Sequence, residues 1–152
     1  LNWVEPQLPV FCNLSDLELG WSNYVNWKLI LPKFLHSSPV LEHLAFSEGL
    51  QHCESNDAYD KNFWSRQRKW PSCLSSHLKT ITILHFHGYE EEASIARYFL
   101  RHGKVLRELM LDSRVSSREE CQRLRKLYRV RKASKDCSIE LLDESEVWSW
   151  FF

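Results

Sequence analysis

The sequence predicts an α/β fold made of strand–helix units laid side by side, and two observations carry that prediction. The first is a recurring apolar run: LSDLEL at 14–19, LEHLAF at 41–46, LKTITI at 78–83 and LRELML at 106–111. The second is the segments between these runs, where apolar residues return every three or four positions, as they do on one side of a helix.

Each run ends in an apolar, variable, apolar triplet, the period-two pattern of a strand that buries one face. The starts lie 27, 37 and 28 residues apart, and CSIELL at 137–142 reads as a fifth strand closing the series. EEEASIARYFLRHG at 90–103 opens on acidic residues that suit a helix N-terminus. It gathers Ile95, Ala96, Phe99 and Leu100 on one side and stops at Gly103. SSREECQRLRKLYRVRK at 116–132 starts on a capping box, Ser116 with Glu119 or Ser117 with Glu120, and carries a stripe of Cys121, Leu124, Leu127 and Tyr128. In WKLILPKFLHSSP at 27–39 the missing amide of Pro32 belongs in a first turn, which sets the expected helix start near Leu31.

Strands joined by helical crossovers run parallel, and such crossovers are nearly always right-handed. Two of the three spacings fall in or near the range of leucine-rich repeats. The expected architecture is therefore a leucine-rich-repeat-like right-handed solenoid fragment, with parallel strands and helices on the convex side. No unit in such a stack buries its own apolar face, so an uncapped end is marginally soluble. Leu1, with no initiator methionine or secretory signal, reads as a cut end.

At 152 residues, with 43% hydrophobic and 26% charged residues, the chain suits one cooperative folded unit rather than disorder. No run approaches the roughly 18 apolar residues that span a bilayer, so no membrane partner is expected. Cys12, Cys53, Cys73, Cys121 and Cys137 are odd in number and form no CxxC pair, which suits reduced thiols and an intracellular setting, nucleus or cytoplasm. The net charge is zero but unevenly spread. Residues 1–60 hold 2 Lys+Arg against 8 Asp+Glu, and residues 61–152 hold 18 against 12, giving −6 and +6. Such asymmetry orients a charged partner and says nothing about fold.

Catalytic chemistry finds no foothold. GxSxG, HExxH, a P-loop and GxGxxG are all absent from the sequence, and four glycines leave little for a phosphate cradle. His85 and His87, with Cys73 or Cys53, lack the paired spacing of a zinc site, and nothing marks a cysteine nucleophile with its base. No enzyme, cofactor or metal is expected. The alternative function is nucleic-acid binding. The basic helix at 118–135, with Arg123, Arg125, Lys126, Arg129, Arg131 and Lys132, would attract phosphates. Trp64, Arg66, Arg68, Lys69 and Trp70 would add base stacking. Zero net charge and the lack of a nucleic-acid fold signature rank this below a protein partner, and the two tryptophans are better read as pinning their loop onto the stack.

A set of phrases in one order resembles the FBD domain at the C-terminus of plant F-box/leucine-rich-repeat proteins. They are CLSSHLK at 73–79, Gly88 followed by Glu91 and Glu92, YFL at 98–100 and VLRELML at 105–111, with SSPVLEHL at 37–44 upstream. The chain departs from the family at WPSCL, 70–74, where VPxCL is usual, and no central proline follows Trp64. The resemblance implies leucine-rich repeats over 1–50, a linker loop over 51–72 and an FBD domain over 73–152. It further implies the substrate-recognition module of an SCF-type E3 ubiquitin ligase. The protein substrate is of unknown identity, and the SCF adaptor is reached only through an F-box outside this chain.

In a leucine-rich strand the residues between the apolar pair face the concave sheet surface. Here these are Asp16, Glu18, His43, Ala45, Thr80, Thr82, Glu108, Met110 and Glu140, with Trp64 and Trp70 as aromatic anchors in the loop at 47–70.

Overall fold

The computed structural model describes residues 8–20, 27–50 and 63–142. Five strands, β1 (Asp16–Leu19), β2 (His43–Phe46), β3 (Thr80–Phe86), β4 (Glu108–Ser113) and β5 (Ser138–Leu142), form one parallel sheet in sequence order. Between them lie α1 (Trp27–His36), α2 (Ser72–Ser76), α3 (Glu90–His102) and α4 (Arg118–Leu127), with a 3-10 turn at Trp64–Arg66. Every expected strand is present. The loop at 51–62, with Cys53, lies outside the described residues.

The five units share one register because each enters the sheet through the same junction. The carbonyls of Ser15, Glu42 and Lys79 each accept two amides from the next unit, and that of Arg107 accepts the Ser138 amide. This repeated junction leaves two rows pointing inward: Leu17, Leu44, Ile81, Leu109 and Ile139, then Leu19, Phe46, Ile83, Leu111 and Leu141. Leu41, Leu78 and Leu106, which lead their runs, are fully buried beside them. The fifth unit lacks that leading leucine: Asp136 takes its place and is exposed. Helices cover the inward rows except at the β5 edge, where Leu141 is 50% exposed. Leu31 and Leu35 of α1, Leu74 of α2, Ile95 and Phe99 of α3 and Leu127 of α4 all join the same core.

The helices correct the sequence reading in three places. α1 starts at Trp27, not near Leu31, and carries Pro32 inside it. Burial of Leu31 and Leu35 offsets the one helical hydrogen bond that proline removes. α4 ends at Leu127, five residues earlier than the pattern implies. Beyond it the amides of Tyr128, Arg129 and Val130 bond three residues back, and Ala133 is tied to the Leu100 carbonyl at 2.9 Å. Tyr128, past the helix end, and Cys121, within it, both lie exposed, leaving Leu124 and Leu127 as the packed part of the stripe. Gly103 does stop α3, but at φ −78 rather than in the left-handed region. A Cβ there would stand 2.7 Å from the Phe99 carbonyl oxygen, so close packing excludes one.

Two buried carboxylates hold the irregular backbone after β3. A bulge between Ile83 and Phe86 puts His85 at φ 54, and Asp112 on β4 accepts its amide at 3.1 Å. Arg114 Nε pairs with the same Asp112 oxygen at 3.2 Å. At the start of α3, Glu92 Oε1 accepts the amides of His87 at 3.1 Å and Tyr89 at 2.9 Å. Glu92 is 1% exposed, and burial pushes its carboxyl up to about 7 against the opposing pull of these amides.

Leu109→Ala should cost about 2–5 kcal/mol through lost burial and an unfilled cavity. Glu108→Lys, on the same strand but half-buried on the opposite face, should cost within about 0.5 kcal/mol. Paired urea unfolding curves check both values, and equal damage would refute the register. A second prediction concerns pH. Because the folded Glu92 binds its proton more tightly than the unfolded chain does, its contribution favours folding below about pH 4.5 and is lost as pH rises through about 7. Burial lowers the pKa of His102, which acts in the opposite sense, so the readout is a difference between variants. Between pH 5 and pH 8 the parent should lose on the order of 2–3 kcal/mol more than Glu92→Gln does, measured by urea midpoints.

Candidate functional site

The register that turns ten side chains inward presents ten others on the opposite face. One row runs Asp16, His43, Thr80, Glu108, Ser138, and the next runs Glu18, Ala45, Thr82, Met110, Glu140. All nine strand positions expected from sequence therefore meet on one surface, about 19 Å across at the usual strand spacing. Ser138 completes the first row. It is two residues before Glu140, so strand alternation alone could have found it.

The face is acidic at its margins and filled at its centre. Asp16 and Glu18 on β1 and Glu140 on β5 are exposed, and Glu108 is half-buried; none of the ten positions carries a lysine or arginine. His43 Nδ1 hydrogen-bonds Thr80 Oγ1 across the strands. Thr82 is only 3% and Met110 only 6% exposed, so neither offers much of a contact. Both stand in the middle of the sheet, where strands about 4.8 Å away on each side crowd them. The outward register of Met110 holds, while its expected exposure does not.

Trp64 and Trp70 belong elsewhere. Trp64 is buried at 3% exposure, edge-on to Phe63 with centroids 5.1 Å apart and 5.0 Å from the Tyr98 ring of α3. It cannot serve as an exposed anchor, because its hydrophobic body completes the core beside α3. Trp70 is 47% exposed and stacks on His102 at 4.4 Å. Both rings fasten the 63–70 segment to α3, on the helical side of the sheet.

Several other candidate residues make local contacts. Cys73 is buried, with its thiol pushed up to about 11 by burial, and it stays protonated at neutral pH. The His85 ring sits 3.8 Å from Asp112, and His87 stacks on Tyr89. Among the described residues no three His, Cys, Asp or Glu side chains cluster as metal ligands, and no helix is long and apolar enough to cross a membrane. In the basic run, Arg123 Nε pairs with Glu90 at 3.1 Å and its Nη1 donates to the Gly88 carbonyl at 3.1 Å, which clamps α4 to the start of α3. Arg125, Lys126, Arg129 and Arg131 are exposed, and Lys132 is half-buried. Burial of Trp64 removes one of the two rings on which base stacking would depend.

Comparison with known proteins places these elements in a family. Residues 66–111, from the 3-10 turn through most of β4, match the FBD family model. An FBD-associated F-box protein of Arabidopsis thaliana is 33% identical over 87% of this chain. An F-box/FBD/LRR-repeat protein of the same plant is 28% identical over 86%, and a putative F-box/LRR-repeat protein is 29% identical over 93%. The chain spans 27%, 28% and 34% of those three relatives. No solved structure matches. The span matched by the family model takes in β3 with its bulge, the α3 cap and the start of β4, and the chain is accordingly an FBD-domain homologue of the plant F-box/FBD/LRR-repeat proteins.

Proposed function

We propose that this chain is the protein-recognition part of a substrate receptor for an SCF-type E3 ubiquitin ligase, with no catalytic chemistry of its own. The observation that carries the reading is the open sheet face: ten side chains in two straight rows, with four acids and no cation. A parallel sheet wound in simple sequence order has no switch point at which strand order reverses, so it lacks the crevice where open α/β sheets bind small molecules. Its binding surface is the face itself, which suits a basic segment of a protein substrate. The relatives' F-box names support placing the chain in a ubiquitin ligase. Contact with the SCF adaptor then runs through an F-box outside this chain.

The same reading takes the five units as a stretch of a leucine-rich-repeat-like right-handed solenoid, with helices on the convex side. Residues 1–50 supply its last repeats, 51–72 a linker and 73–152 the FBD domain. Right-handed crossovers follow from the chirality of strand–helix–strand connections.

The combined variant Glu18→Lys, Glu108→Lys, Glu140→Lys tests the face in the full-length protein. Each change alters a side chain on the open face, so the fold should lose no more than about 1.5 kcal/mol in urea unfolding. Adaptor binding should be unchanged, while ubiquitylation of proteins that depend on the parent receptor should fall at least about tenfold, as expected when opposite charges are replaced by like ones. Unaltered ubiquitylation would rule out the acidic face as the recognition surface.

A further inference from the structure

A second surface lies on the helical side, where the 63–70 segment crosses α3. There a cleft of about 200 Å³ is lined by Trp64, Ser94, Arg97, Tyr98, Arg101 and His102. Arg97 and Arg101 stand one helical turn apart on the same side of α3, with Cβ atoms about 6 Å from each other. Like charges at this spacing weaken a helix. Among the described residues neither guanidinium has a carboxylate partner: the three α3 acids, Glu90, Glu91 and Glu92, all lie in its first turn, with Glu90 engaged by Arg123 and Glu92 by backbone amides.

The walls of the cleft add specificity to this charge. Burial first, and then the neighbouring Arg101 cation, lower the pKa of His102, whose ring stacks against Trp70. Trp70 remains 47% exposed above it. In the wall itself, the indole Nε1 of Trp64 is buried and has no hydrogen-bond partner. The donors that the cleft offers are the two guanidinium groups, which favour an acceptor with negative charge.

We propose that this cleft binds an acidic segment of a protein, with Arg97 and Arg101 each holding one of its carboxylates and Trp70 covering the adjoining backbone. The planar guanidinium matches a carboxylate with two parallel hydrogen bonds, and the spacing of the pair suits acids two residues apart on one side of an extended segment. An anion between the two arginines also relieves their mutual repulsion. Nucleic acid fits less well: Trp64 is buried, which leaves Trp70 as the one open ring at the cleft for base stacking. The site is separate from the acidic sheet face, so the two readings stand or fall independently.

Fluorescence anisotropy of a labelled Asp/Glu-rich peptide, titrated with the whole chain, tests the proposal. The peptide should bind, its Asn/Gln counterpart should not, and binding should weaken from about 50 to 300 mM salt as screening increases. Arg97→Gln with Arg101→Gln should weaken binding at least about tenfold, the size expected when two charge-assisted contacts are lost. Arg107→Gln with Lys135→Gln, an equal loss of charge at exposed positions away from the cleft, should leave affinity within about twofold. Urea midpoints of every variant separate lost binding from lost fold, and Arg97→Lys with Arg101→Lys keeps the charge if the glutamines unfold the chain. Four results would overturn the proposal. They are no binding of the acidic peptide, equal binding of the neutral one, an equal loss in the control pair, or tighter binding of oligouridylate than of the peptide through the same two arginines.

Discussion

The whole arrangement depends on one constraint: a single strand–helix unit cannot bury its own apolar row. Leu44 needs Leu17 and Ile81 on either side and α1 above it before it leaves water, and the same is true of Ile81 and Leu109 in turn. Burying such a side chain is worth about 1.5–3 kcal/mol, too little to order a unit alone against its backbone entropy. Stability is therefore shared between neighbours. The shared junctions at Ser15, Glu42, Lys79 and Arg107 make that sharing possible, because they give every unit the same register.

The two buried acids belong to the same economy. Where β3 leaves the sheet, the chain must bulge and turn before α3 begins, which leaves the amides of His85, His87 and Tyr89 without ladder partners. Asp112 and Glu92 satisfy them from below. These carboxylates could be mistaken for catalytic groups on burial alone. Both accept backbone amides, and Asp112 also pairs with Arg114, which identifies them as supports of the turn. Gly88, at φ 83 with Glu120 against it, completes that turn and brings α4 close to α3.

The chain consequently presents two surfaces of opposite sign. The sheet face carries Asp16, Glu18, Glu108 and Glu140 with no cation, while the outer side of α3 carries Arg97 and Arg101 with no acid opposite them among the described residues. The near-zero net charge conceals this division. A fixed polarity of this kind orients whatever approaches and separates the partners that each surface accepts.

The sequence by itself determined the five strands, their order and the face on which each side chain lies, because period-two alternation and run spacing are local properties that packing reinforces. It also determined α3, whose apolar stripe and acidic first turn agree with its final position. Tertiary structure decided the rest. α1 begins before Pro32 because the core rewards Leu31 and Leu35, and α4 stops at Leu127 because Leu100 captures Ala133. Thr82 and Met110 are outward by alternation yet hidden by neighbouring strands, and Trp64 leaves the surface because Phe63 and Tyr98 enclose it. Alternation specifies a direction for each side chain. Exposure depends on what other parts of the chain bring alongside it, and the cleft of Arg97 and Arg101 exists only because the 63–70 segment folds back over a distant helix.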